Sequence, residues 1–230
     1  MLSFIIPAHN EEFCLPRTLE AIHQSARAVG ESYEVIVVDD ASTDATGEVG
    51  RNFNAIVVRV NHRQIAATRN SGAKAAQGER FFFVDADTII NPRVIQSALR
   101  WMDREAAEGG ALTRFEGSVP LYARLLLRWF GFFMRIASLS GGAFMFCTRQ
   151  AFHAVGGFDE RLFGAEDVAM SAALKREGRF IVLRTPFHFR PPGALADRVA
   201  NACSVGPRSF LPVKFSLPFL CGKRLVRFKS

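Results

Sequence analysis

From the first residue onward, short apolar runs alternate with longer stretches of helical periodicity. Runs at 2–6, 34–38, 55–60, 80–84, 143–147 and 180–183 have strand length, and the first four are rich in Val, Ile and Phe. Between the first two, Leu15, Leu19, Ile22, Ala26 and Val29 recur at helical spacing, and Gly30 supplies a stop. Ser42-Thr43-Asp44 offers a cap before a short helix reaching about Arg51. Residues 66–77 are alanine-rich and end at Gly78, and Asn91-Pro92 opens a further helix. Strands alternating with helices of this length predict βαβ units, hence an α/β fold on a mainly parallel sheet.

Two stretches stand apart. Over 121–133, Arg124 and Arg128 share a helical face with Arg135, while Leu125, Leu126, Trp129, Phe132 and Phe133 fill most of the rest. That pattern suits either a core-packing helix with a solvated arginine stripe or an amphipathic helix at a membrane interface or acceptor site. Pro191-Pro192-Gly193 then marks a composition break, dividing a domain over 1–190 from a tail over 191–230.

Composition adds little until charge is located. A hydrophobic fraction of 49% and a charged fraction of 22% belong to a folded chain. Residues 189–230 carry eight Lys or Arg against Asp197 alone, which accounts for the whole formal excess of +7; the remainder balances. A neutral body with a basic end argues against a nucleic-acid binder and fits an anionic membrane surface. Cys14, Cys147, Cys203 and Cys221 form no C-x-x-C pair, so the expectation is reduced thiols and no zinc site. No basic segment precedes the first strand, and the best apolar stretch, 136–148, has 13 residues between Arg135 and Arg149. The expected placement is cytoplasmic, peripheral on the inner membrane face, with no span.

In open parallel sheets ligands bind at the carboxyl ends of strands. Pro7-Ala8-His9-Asn10-Glu11 follows the first strand, Asp39-Asp40-Ala41-Ser42-Thr43-Asp44 the second, and Asp85-Ala86-Asp87 the fourth. Carboxylates gathered at one edge repel unless a cation or hydrogen-bonding ligand sits among them. Asp85 and Asp87, two residues apart, suit Mn²⁺ or Mg²⁺, which completes its shell with substrate phosphates. Asp39 and Asp40 suit a base or ribose, and Arg63 or Arg69 is placed to reach phosphates or base.

Pro7-x-x-Asn10-Glu11, Val-Val-Asp39-Asp40-x-Ser-Thr-Asp44, Ala67-x-Arg69-Asn70-x-Gly72 and Val84-Asp85-Ala86-Asp87 together resemble the family 2 glycosyltransferases of GT-A fold, a Rossmann-like architecture. The stretch Phe152-x-x-Val155-Gly156-Gly157-Phe158-Asp159-Glu160, followed by Glu166-Asp167, looks like that family's acceptor side. The resemblance covers residue 1 to about 185. It implies that Pro7, Ala8, His9, Glu11, Asp39, Asp40, Arg69 and Asp85 line the nucleotide, and that Asp87 and Asp85 hold the metal. By the same likeness His188 is a third metal ligand, Asp167 is the catalytic base of an inverting transfer and Glu166 supports it. The implied donor is a nucleotide sugar, UDP-linked by preference with GDP-mannose as the alternative, and the acceptor is a hydroxyl on a lipid-linked molecule or cell-surface glycan. Trp101 and Trp129 read as packing residues. The processive members' Gln-x-x-Arg-Trp motif is absent, which favours transfer of a single sugar. A nucleotidyltransferase of similar fold and a non-catalytic membrane-associated module are the rival readings.

Overall fold

Why the first strands bury both faces is plain from their side chains: in β1 (Leu2–Ala8), Phe4 and Ile6 point one way and Ile5 the other, and all three are fully enclosed. The computed structural model describes residues 1–105, 108–115, 129 and 143–189. Its sheet runs β3-β2-β1-β4-β7-β6-β8-β5, with β2 at Tyr33–Asp40, β3 at Ile56–Val60, β4 at Arg80–Val84 and β5 at Thr88–Ile89. The others are β6 (Glu108–Phe115), β7 (Phe144–Thr148) and β8 (Phe180–Phe189). Among the described residues β1–β2, β1–β4, β2–β3 and β6–β8 pair in parallel, while β7 runs against β4 and β6, and β5 against β8. The mainly parallel α/β sheet expected from the pattern is present.

Helices cover both faces. On one, α1 (Leu15–Val29) and α4 (Pro92–Glu105) pack Leu19, Ile22, Val94 and Ala98 against Phe4, Ile6 and Phe82. On the other, α3 (Ile65–Ala75), α5 (Arg149–Ala154) and α6 (Glu166–Glu177) set Ala66, Ala73, Phe152, Met170 and Leu174 against Ile5, Ile36 and Phe83. Gly72 is what lets α3 sit low: a Cβ there would strike Ile5 and come within 2.8 Å of Val38 Cγ2. The short α2 (Thr46–Asn52) has Ala45 at its N-cap, and Asp44 Oδ1 accepts from the Thr46 N–H at 3.0 Å. Asn91 Oδ1 does the same for Val94 at 3.2 Å, so Asn91-Pro92 opens α4 as its residues suggest.

Three expectations need correction or extension. Strand β6 has no counterpart in the apolar pattern, because it opens Glu108-Gly109-Gly110, and β5 is too short to leave one. Strand β8 extends to Phe189, past a register shift between Ala111 and Thr113 of its partner. Trp101 is partly buried and packs on the core, with Arg179 stacked over it at 5.1 Å, but Trp129 is 74% exposed and is no packing residue. The remainder of 121–133, Cys203, Cys221 and the 191–230 tail lie outside the described residues. Among the described residues no helix is long and apolar enough to cross a membrane.

Glu108 is a charge inside the core. It is 2% exposed and accepts from the Thr148 N–H at 2.9 Å and the Thr148 hydroxyl at 3.2 Å. Burial pushes its carboxyl up to about 7, and those two bonds only partly oppose the rise. A carboxyl raised on folding stabilises the fold below its ordinary range, and that contribution is lost as pH climbs through about 7. Glu108→Gln is therefore expected to be near-neutral at about pH 5 and stabilising by about 1–3 kcal/mol at about pH 8, read by urea unfolding at both pH values. A variant equally destabilised at both would show that the carboxylate is well accommodated when charged.

Candidate active site

Parallel pairing of β1, β2 and β4 delivers three polar segments to one edge of the sheet, and hydrogen bonds join the first two. The Asn10 N–H donates to Ser42 Oγ (3.0 Å), the Thr43 N–H to Asn10 Oδ1 (2.8 Å), and the Glu11 N–H to Thr46 Oγ1 (2.8 Å). Reciprocally, the Ala45 N–H donates to Glu12 Oε2 (3.0 Å) and the Glu12 N–H to Asp44 Oδ2 (3.2 Å). Asn10 takes a left-handed backbone (φ 56°), which asparagine tolerates, to turn the chain into this zipper. Pro7 and Ala8 close β1 beside Val38 and Asp39. His9 Nδ1 lies 2.6 Å from the Asp40 carbonyl, which fixes it as the protonated nitrogen and leaves Nε2 to accept from Asn10 Nδ2 at 3.3 Å.

The two aspartates at the end of β2 are used differently. Asp39, 4% exposed, accepts from the Ser42 N–H at 3.0 Å, and its Oδ2 faces Gly47, where a Cβ would approach to 2.8 Å. Asp40 accepts from the His62 N–H (2.7 Å), the Gln64 N–H (3.2 Å) and the Thr68 hydroxyl (2.9 Å). Burial alone would raise its carboxyl, but these bonds and one from the Arg63 backbone outweigh burial and hold it below the usual range. Asp40 thus anchors the segment entering α3.

The third segment carries Asp85 and Asp87. Asp85 Oδ1 accepts from Arg69 Nη2 at 2.8 Å, and Nη1 of the same guanidinium donates to Glu166 Oε1 at 3.1 Å. Arg69 is 1% exposed and lies 5.2 Å over the Phe158 ring. Its Nη1 and Nη2 thus each hold a carboxylate. They also bring the acids after β4 and those at the start of α6 into one place. Asp87 is pushed up to about 7, first by burial and then by the negative charges of Asp85 and Glu11. The repulsion that makes Asp87 resist ionising beside Asp85 and Glu11 is one that a divalent cation would relieve. Among the described residues no three His, Cys, Asp or Glu side chains are grouped so as to hold a metal ion. His188 stands opposite Ile89 in the β5–β8 pairing, two positions beyond Asp87, though its side chain lies outside the described residues.

Opposite stands the segment leading to α6. Asn70 grips it: Nδ2 donates to the Phe158 carbonyl (2.9 Å) and to Glu160 Oε1 (2.8 Å), and Oδ1 accepts from the Phe158 N–H (2.9 Å). Gly157, at φ 79°, leaves no room for a Cβ, which would lie 2.8 Å from Asn70 Oδ1. Gln64 Nε2 donates to the carbonyls of Glu160 and Leu162, the latter at 3.1 Å. Ala165 then turns left-handed (φ 59°) into α6. Glu166 is 2% exposed, with Oε1 on Arg69 and Oε2 without a hydrogen-bond partner among the described residues. Asp167 is half-buried, and its Oδ1 accepts from the Val168 N–H at 2.8 Å. Gln64 lies outside every motif quoted above, and no spacing signals its reach to residues 160–162.

The sequence profile of Glycosyl transferase family 2 matches residues 3–156. Validoxylamine A glucosyltransferase of Streptomyces hygroscopicus subsp. jinggangensis is 33% identical over 106 residues, 43% of this chain and 25% of that protein. The chain therefore spans a quarter of that relative. Among solved structures, the mannosyltransferase PcManGT from Pyrobaculum calidifontis, in complex with GDP-Man and Mn²⁺, superposes with a TM-score of 0.70 at 21% identity. That match covers 90% of this chain and 65% of the other. S. aureus TarS 1-349 in complex with UDP-GlcNAc gives 0.64 at 22% identity, covering 84% and 59%. At these identities the two structures establish the GT-A fold.

If Arg69 brackets the buried Glu166 and the part-exposed Asp85, removing it strands the buried charge. Arg69→Met is expected to destabilise by about 3–5 kcal/mol in urea unfolding. Adding Glu166→Gln should return at least about 1 kcal/mol, because the stranded charge is gone. Strictly additive losses would mean that the two side chains do not share a charge.

Proposed function

This chain belongs to glycosyl transferase family 2, and on that premise we propose that it moves one sugar from a nucleoside-diphosphate sugar to an acceptor hydroxyl with inversion. The observation that carries the proposal is the Arg69 bracket, which joins Asp85 to Glu166 and so unites the acids after β4 with those opening α6. A donor diphosphate beside the first set would set its anomeric carbon toward the second.

In this reading the joined segments 7–12 and 39–46 hold the nucleoside, with His9, Glu11 and Asp39 facing it and Asp40 fixing the floor. Asp87 and Asp85, together with His188, whose backbone pairs with Ile89, would hold Mn²⁺ or Mg²⁺. When bound, that ion neutralises the diphosphate and improves it as a leaving group. Asp167, the more open of the α6 pair, accepts the proton of the acceptor hydroxyl as that oxygen bonds to the anomeric carbon. The bond from that carbon to phosphate breaks, and the nucleoside diphosphate leaves with the electron pair. Glu166 stays paired with Arg69 and sets the start of α6. The donor is a UDP-sugar by preference, with GDP-mannose the alternative. The transferase domain is 1–190, and the basic 191–230 tail meets an anionic leaflet on the cytoplasmic side, bringing the site to lipid-linked or surface glycans.

Asp87→Ala is expected to abolish turnover and to weaken metal-dependent nucleotide binding. Asp167→Asn is expected to spare donor binding while slowing transfer by about 10²–10⁴-fold. Both are read with radiolabelled nucleotide sugars, scoring nucleoside diphosphate release; pyrophosphate release from a nucleoside triphosphate would instead favour nucleotidyl transfer. Deleting residues 205–230 should lower co-sedimentation with vesicles containing phosphatidylglycerol, and undiminished binding would refute the role given to the tail.

A further inference from the structure

A lone exposed phenyl ring needs no explanation on most surfaces. Phe163 is different in its setting. It is 86% exposed, and it precedes Glu166 by three residues and Asp167 by four. The backbone around it is tied down: Gln64 holds the carbonyls of Glu160 and Leu162, Asn70 holds Phe158 and Glu160, and Arg69 holds Glu166. Gly164, with open space around it, and left-handed Ala165 complete the turn into α6. Among the described residues the segment is fixed on both sides of this ring, and the ring itself is left exposed. On the preceding residues, a shallow cavity of about 450 Å³ is lined by Asn70, Gly157, Asp159, Glu160 and Arg161.

We propose that Phe163 is an acceptor-binding residue that takes the apolar C–H face of a saccharide ring, whose hydroxyls turn toward the polar groups of 159–161. The proposal deepens the glycosyl-transfer reading and rests on it. A sugar ring has one apolar face rimmed by hydroxyls, and an aromatic face beside carboxylates and a guanidinium complements both. A polyprenyl chain would need a continuous apolar lining instead. In the sequence Phe163 is preceded by Asp159, Glu160 and Arg161 and followed by Gly164 and Ala165, with Leu162 half-buried. The acceptor class that fits is a glycan or glycoside, with the hydroxyl that reacts carried on or next to the stacked ring.

The test uses the full chain with Mn²⁺ and the best-hydrolysed nucleotide sugar, offering methyl glycosides, lactose, chitobiose and undecaprenyl phosphate as acceptors. We expect a ring-bearing saccharide to be the best acceptor. Phe163→Ala should raise its KM about five- to tenfold with kcat within about threefold, and Phe163→Trp should restore it. Donor hydrolysis and the unfolding midpoint should not change, since the side chain is exposed. Undecaprenyl phosphate as best acceptor, or an unchanged saccharide KM in Phe163→Ala, would overturn the proposal. Absence of donor hydrolysis in the unaltered protein would instead defeat the glycosyl-transfer reading itself.

Discussion

One buried guanidinium holds the site together. A cation withdrawn from water is costly unless its charge is balanced, and Arg69 Nη1 and Nη2 each donate to a carboxylate, the two arriving from different parts of the chain. Asp85 comes just after the end of a central strand, and Glu166 from the first turn of a helix about eighty residues later. Both are tied to the one guanidinium, and Asp167 follows Glu166 at the start of α6.

The sheet supplies the frame for this bracket. Parallel pairing of β1 with β2 and β4 sets three chain reversals on one edge, and β7 crosses back beside β4, with the Asp85 N–H donating to the Ala143 carbonyl at 3.2 Å. Helix α3 then does several jobs along its length. Thr68 meets Asp40, Arg69 meets the two acids, Asn70 grips Phe158, and Gly72 lets the helix rest on Ile5 and Val38. A helix lying so close to the sheet ties nucleotide-side and acceptor-side segments to a single rigid element.

Much of this was readable from residues alone, where local chemistry and global fold agree. β4 at 80–84 and α1 with Gly30 behind it follow from apolar run length and periodicity, and the Asp-rich strand ends follow from the rule that parallel sheets bind ligands there. What escaped depends on contacts between distant parts. β6 hides behind Gly109, whose missing side chain lets it approach Phe146 and β8: a Cβ there would come within 2.8 Å of the Phe146 ring. Arg69 is visible in its motif, but nothing in spacing says that it pairs with Asp85 and Glu166. Asp40 looks like Asp39 on paper, and only the descent of residues 62–68 onto it assigns it to the backbone. Trp129 is a large aromatic that composition alone places inside, yet it faces solvent.

The central claim is that these acids meet around a cation that serves a donor's diphosphate, and thermodynamic linkage tests it directly. A calorimetric titration of the unaltered chain with UDP and with GDP, each in Mn²⁺ and again in excess chelator, measures the coupling. At least one nucleotide should bind about tenfold or more tightly with Mn²⁺, and that nucleotide should tighten Mn²⁺ binding by the same factor. Affinity for both nucleotides that is indifferent to the metal, or no binding of either, would contradict the account.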